Sequence, residues 1–198
     1  MRVRLPPVLV VVTSDGVVRG PGGVVRGALG RSGVRADKYE GDGATPLGLW
    51  PMRRLLYRPD RLGAPVTGLP VTAIAPCDGW CDDPTDPRYN QPISLPDSAR
   101  HERLWRDDGL YDVVVVLGYN DDPVIPGRGS AIFLHVARPD YGPTEGCVAL
   151  ALPDLLALVR ACGPGAALDI QAEPARLGTR LEESNPPSGP FDTGDPSQ

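Results

Sequence analysis

Short apolar runs of strand length alternate along the chain with long polar connections rich in proline and glycine. In "VLVVVTSDGVVRG" a β-branched run at 8–12 meets a second apolar pair across Asp15-Gly16, a dipeptide that tolerates positive φ, so the chain is predicted to open with a hairpin. A strand is predicted at 24–29, a glycine-bearing loop to about 45, and another strand from Leu49 to Tyr57. From Pro59 to Gly109 no period is sustained, which predicts a long, partly ordered excursion with a short helix near 97–105. Loops of that length are usually functional or disordered. "DVVVVLGY" (112–119) and "SAIFLHV" (130–136) are continuously apolar, as central strands buried on both faces would be, and are expected to pair. "PDLLALVRACGPG" fits a helix with Pro153 in its first turn, Leu155, Leu156, Leu158 and Val159 on one face, and Gly163 or Gly165 as the stop. "AALDIQ" then returns as a strand. The division expected is one folded domain over 1–171 and a disordered tail rich in Pro, Gly and Ser over 172–198, where apolar content nearly vanishes.

Composition sharpens this picture. With 198 residues the chain can bury a core without disulfides, and 24 Gly with 24 Pro against 6% aromatics favour turns over long helices. The fold class expected is therefore mainly β, with long loops and one or two short helices. A net charge of -5, with both signs interspersed, argues against nucleic acid and anionic membranes as partners. The amino terminus has a basic start, but its apolar run is short, follows Pro6-Pro7 and precedes no small-residue cleavage site, so it reads as a first strand and not a signal peptide. No run approaches the roughly 20 apolar residues of a membrane span.

The candidate chemistry lies in "SAIFLHVARPDYGPTEGCVAL" (130–150), where His135 ends an apolar run and Cys147 follows Gly146. A cysteine attacks as thiolate and needs a neighbour to take its proton, for which histidine is suited near neutral pH. A histidine at a strand end is held rigidly yet can face a cleft, and "ARPDYGPTEG" has the prolines and glycines to fold the chain back so that Cys147 sits beside it. N–H groups around Gly146 and Cys147 would then offer an oxyanion hole. From these residues alone, catalysis and plain core packing both stand, since free cysteine is among the most buried residue types. Cys77 and Cys81 in "CDGWC" fit a small disulfide or half a metal site, but no second Cys/His pair completes a tetrahedral set, and no metal or other cofactor is expected. Cys162 reads as packing at a helix end. "EGDGATP" is a glycine-rich turn lacking the Gly-Lys-Ser/Thr ending of a phosphate loop. Asn120 and Arg128 flank the loop before the histidine strand; Arg128 would fork onto a carboxylate, or the pair simply closes a turn around Asp121-Asp122-Pro123.

Thr144-Glu145-Gly146-Cys147, preceded by a histidine on a strand, resembles the active-site segment of the L,D-transpeptidase (YkuD-type) catalytic-domain family. The resemblance extends through "SGVRADKYEGDGATPLGLW", "GWCDDPTDPRYN", "HERLW" and "LGYNDDPVIPGRGSAIFLH", and covers roughly 8–171. It implies an L,D-transpeptidase-like β-sandwich or barrel, with Cys147 as acylated nucleophile, His135 as general base and then acid, and Gly146 with Cys147 as oxyanion donors. It implies peptidoglycan stem peptides as donor and acceptor partners: acyl transfer from an L-centre carbonyl to the amine of diaminopimelate, giving 3-3 or L-Ala-to-diaminopimelate crosslinks. With water as acceptor, the same pair gives a carboxypeptidase or endopeptidase; a dead site would leave a peptidoglycan-binding protein. Substrate contacts are expected from Glu145, Thr144, Arg128, Asn120, Tyr119 and His101, and the location implied is periplasmic. The family commonly carries a second histidine where this chain has Glu145, and the shorter His-to-Cys spacing resembles a proteobacterial subgroup. A carboxylate facing the sulfur would oppose the thiolate, so Glu145 is expected to point away, toward the acceptor amine or an arginine such as Arg138.

Overall fold

The computed structural model describes residues 7–173. The strands are β1 (Leu9–Thr13), β2 (Val17–Gly20), β3 (Gly23–Ala28), β4 (Val34–Arg35), β5 (Thr45–Pro46), β6 (Gly48–Tyr57), β7 (Val71–Ala73), β8 (Asp78–Cys81), β9 (Pro92–Ser94), β10 (His101–Arg103), β11 (Val113–Leu117), β12 (Phe133–Val136), β13 (Val148–Leu150) and β14 (Ala167–Gln171). One helix, α1 (Leu152–Ala161), stands among the described residues. The segment expected to form a tail lies outside them from 174 onward. No helix among the described residues is long and apolar enough to cross a membrane.

The predicted hairpin forms, with Val12 opposite Val18 and Gly16 at φ +80 in its turn. The main sheet runs β11-β12-β13-β3-β2-β1-β14-β6, and β6 pairs again with β11, closing the ring. A ten-residue β6 makes closure feasible: Gly48–Pro51 pair with β14, and Met52–Tyr57 with β11. Closure leaves little free edge for edge-to-edge association. Inward side chains follow the two-residue period of strands. Val113, Val115, Leu117, Leu134, Val148 and Leu150 fill the barrel with Val10, Val12, Leu168 and Ile170. The helix adds Leu155, Leu158 and Val159 to the same core, as its apolar spacing predicts, while Leu156 is only partly buried. Its last turn ends at Cys162, whose carbonyl accepts from the Gly68 N–H at 2.8 Å and the Thr67 hydroxyl at 3.2 Å, meeting an acceptor the helix leaves unpaired.

The outward face of β11 and β12 is also buried, so both continuous apolar runs are explained. Leu56, Val114, Val116, Ala131 and Phe133 form a second core with Ile74, Trp80, Leu104 and Tyr111, which come from the excursion and its return. The excursion carries its own sheet, β10-β8-β9. The short helix expected near 97–105 is absent: His101 pairs with Cys81, Arg103 with Gly79, and the Leu104 N–H with the Asp78 carbonyl at 3.0 Å. Those backbone groups are committed to a neighbouring strand, and Asp97 holds the preceding turn through Arg88 at 2.6 Å and the Ala99 N–H at 2.9 Å.

Asn90 fastens this cover. It is 4% exposed, its carbonyl accepts from Trp80 Nε1 at 2.9 Å and the Ala131 N–H at 3.0 Å, and its amide donates to the carbonyls of Tyr119 and Asn120. Trp80 meets Phe133 edge-on at 5.2 Å. Trp80→Ala should therefore lower unfolding free energy by about 3–5 kcal/mol, the usual cost of a buried aromatic. Urea titration checks this, and a loss under about 1 kcal/mol would mean the cover is not packed onto the barrel.

Candidate active site

The connection from 137 to 147 carries the chain back to the start of β12, so β13 runs parallel to it, with Leu134 beside Val148 and His135 beside Ala149. Cys147 therefore stands at the entrance of the neighbouring strand, opposite Phe133, whose N–H lies 3.3 Å from its sulfur. Side chains two positions apart share a face. Phe133 and His135, and beside them Cys147 and Ala149, all turn outward from the barrel, and His135 and Cys147 both line a cleft of about 920 Å³. The cover and the 29–45 loop form its walls.

The turn that presents Cys147 is pinned at Thr144. Its N–H donates to the Leu29 carbonyl and its carbonyl accepts from the Arg31 N–H, both at 2.9 Å. Its hydroxyl donates to the Cys147 carbonyl at 2.6 Å and accepts from the Gly146 N–H at 3.1 Å. Gly146 adopts φ +134, and a Cβ there would come within 2.7 Å of the Ala44 carbonyl oxygen. Both conformation and space require glycine.

Burial sets the resting proton. The Cys147 thiol donates to the Ala131 carbonyl at 3.2 Å, and burial, reinforced by the Glu102 carboxylate, pushes it up to about 12 against the Phe133 N–H and the cations Lys38 and Arg106. Burial, with repulsion from Arg106, lowers His135 to about 4, partly offset by the Val136 carbonyl and Asp108. That carbonyl lies 2.9 Å from Nδ1, which places the imidazole proton on Nδ1 and leaves Nε2 as acceptor. At neutral pH Cys147 therefore rests as a thiol and His135 as a neutral imidazole.

Tyr111 meets the imidazole edge-on at 5.2 Å and donates to Glu102 at 2.7 Å, and Arg106 bridges to Glu102 at 3.3 Å. Burial raises both the Glu102 carboxyl and the Tyr111 phenol above their ordinary values. On the other wall Lys38 pairs with Asp42 at 2.7 Å. Burial alone would raise Asp42, but hydrogen bonds from Lys38, Ala44 and Tyr39 outweigh it and hold the carboxyl below its usual range. Sequence reading passed over Glu102, Arg106, Tyr111 and Lys38. Lys38 and Glu102 left the same local trace, an opposite charge four positions on, at Asp42 and Arg106 respectively.

Among the other residues singled out from sequence, Thr144, Glu145 and His101 line the cleft. Glu145 forks onto Arg31 at 2.9 and 3.1 Å, not onto Arg138. Tyr119, Asn120 and Arg128 are not on its lining. The Asn120 amide closes its own loop on the Ile125 and Gly129 carbonyls, and the Tyr119 hydroxyl donates to the Arg128 carbonyl. Cys77 is exposed and Cys81 buried, both as free thiols, and no group of three or more metal-capable side chains occurs among the described residues. Cys162 packs at the helix end, its thiol 3.3 Å from the Leu158 carbonyl.

Stability should depend on pH through His135. The unfolded side chain takes a proton near the ordinary 6.5, whereas the folded one resists until about 4, so stability is full above 6.5 and lost as pH falls toward 4. The expected loss is on the order of 3 kcal/mol. His135→Gln, neutral throughout, should flatten that part of the acid slope in urea midpoints; an unaltered slope would place the proton elsewhere.

Comparison with known proteins finds a matching family and a similar solved structure. The family described as the YkuD L,D-transpeptidase catalytic domain matches residues 2–170. The helical cell shape determining protein Pgp2 from Campylobacter jejuni aligns over 85% of this chain and 49% of its own, at 16% identity and a TM-score of 0.46. This chain thus spans about half the length of that protein. No curated protein sequence matches.

Proposed function

This chain belongs to the YkuD family of L,D-transpeptidase catalytic domains, and on that footing we propose that it is a peptidoglycan L,D-transpeptidase acting at the cell wall, in the periplasm, through a Cys147 thioester. The observation that carries the reading is the register of β12 with β13, which sets His135 and Cys147 on one outward face, lining the cleft. His135 Nε2 takes the thiol proton as sulfur adds to the L-centre carbonyl of a donor stem peptide. The tetrahedral intermediate collapses, the C–N bond breaks, and the imidazolium returns the proton to the leaving amine. The amine of diaminopimelate on a second stem then attacks the thioester, the C–S bond breaks, and the proton lost by the amine passes through His135 to the departing sulfur, giving a 3-3 or L-Ala-to-diaminopimelate crosslink. Glu145, 78% exposed at the cleft rim, is suited to attract that cationic acceptor while Arg31 holds it in place.

Purified muropeptides incubated with the protein should yield crosslinked dimers by mass spectrometry, and Cys147→Ala should abolish them while leaving the fold intact. Shortened monomers without dimers would assign water as the acceptor and make the protein a hydrolase. Absence of any Cys147-dependent product would overturn the reading.

A further inference from the structure

Acyl transfer places negative charge on the attacked carbonyl oxygen, and sites of this kind aim two donors at it. The nucleophile turn supplies one. The Cys147 N–H has no acceptor among the described residues, but the Gly146 N–H is already bound to Thr144 Oγ1. A second donor stands beside it. The Lys38 stem passes Gly129, where a Cβ would come within 2.9 Å of Cε, and its ammonium ends at Gly146, 3.3 Å from where a Cβ would lie. Two glycines thus make room for one lysine.

Lys38 is 4% exposed and lines the cleft. Asp42 takes one of its N–H groups, and the other two have no acceptor among the described residues. The carboxylate is fixed in turn by the Ala44 N–H at 2.8 Å and the Tyr39 N–H at 3.0 Å. A buried ion pair is weak evidence of stabilisation, and a half-satisfied ammonium beside a nucleophile has a use only if an acceptor arrives there.

We propose that Lys38 is the second oxyanion donor, a catalytic residue whose ammonium binds the carbonyl oxygen that Cys147 attacks. The inference rests on the acyl-transfer reading above. As the sulfur–carbon bond forms, the carbonyl π pair moves to oxygen, where Lys38 and the Cys147 N–H hold it. When the C–N bond breaks the pair returns, so Lys38 keeps its proton throughout.

The test compares two reactions of the same thiol. A carbapenem acylates it through an oxyanion; iodoacetamide alkylates it without one. Removing Lys38 alone would leave Asp42 buried and unpaired, so the variant is Lys38→Met/Asp42→Asn, with Asp42→Asn as its reference. Both rates are followed by intact-protein mass, and folding by thermal melting. The quotient of acylation over alkylation should fall about 10²-fold or more in the double variant, the usual worth of one oxyanion donor. An unchanged quotient, including an equal fall in both rates, would overturn the assignment. Should the double variant not fold, Lys38→Arg, which keeps the charge but moves the donors, is measured instead, and an unchanged quotient overturns the assignment equally. A wild-type protein that is alkylated but never acylated would overturn the acyl-transfer reading itself, and Lys38's part with it.

Discussion

Phe133 faces away from the barrel, and its complete burial there is the constraint on which the site depends. A barrel strand can leave its outer face to water when that face is polar, but β12 presents Phe133 outward with His135, and β11 presents Val114 and Val116 beside them. Covering this surface requires another layer. The excursion supplies it through Trp80 and Leu104, with Tyr111 at its return, and Asn90 satisfies the polar groups trapped at the seam. The layer packs on Phe133 and reaches His135 through Tyr111, and one end of the apolar surface is left as a cleft lined by Cys147 and His135. Burial in that cleft then raises the thiol and lowers the imidazole, so the packing that builds the site also holds it protonated and quiet at rest.

Charge in the cleft is arranged around that resting state. Arg106 is matched by Glu102 and Asp108, and Arg100 by Asp82 and Glu40, so these walls present paired groups able to exchange partners with a zwitterionic peptide. Lys38 differs in being buried, with two donors unclaimed beside the nucleophile turn. A peptide substrate carrying amine and carboxylate groups suits such walls. Its carbonyl, brought to Gly146 and Cys147, would meet donors already oriented and need little reorganisation.

What could be read from sequence divides along lines of range. The hairpin at Asp15-Gly16, the strands around 113–117 and 133–136 and the helix after Pro153 declare themselves through local pattern, and the structure places each within a few residues of expectation. His135 and the Thr-Glu-Gly-Cys element were legible because chemistry and family resemblance both mark them. Glu102, Tyr111 and Arg106 were not, because their relation to His135 depends on how an excursion of no clear period folds back across the barrel. The same absence of period made 97–105 look helical when its backbone belongs to a small sheet. Glu145 was expected to turn toward the acceptor amine or an arginine such as Arg138, and its partner is Arg31, brought near by the bridge between Gly30 and Thr144, a contact across more than a hundred residues that no local signal reports.

The central claim is that Cys147, and no other thiol of the four, carries the acyl group of a stem peptide. It is tested most directly by acid-quenching the protein within its first turnovers on a stem tetrapeptide and mapping acyl mass on its proteolytic fragments. The account predicts a thioester on the fragment containing Cys147, absent when Cys147→Ala is treated in the same way. Acyl mass on Cys77, Cys81 or Cys162, or none at any cysteine while product still forms, would contradict it.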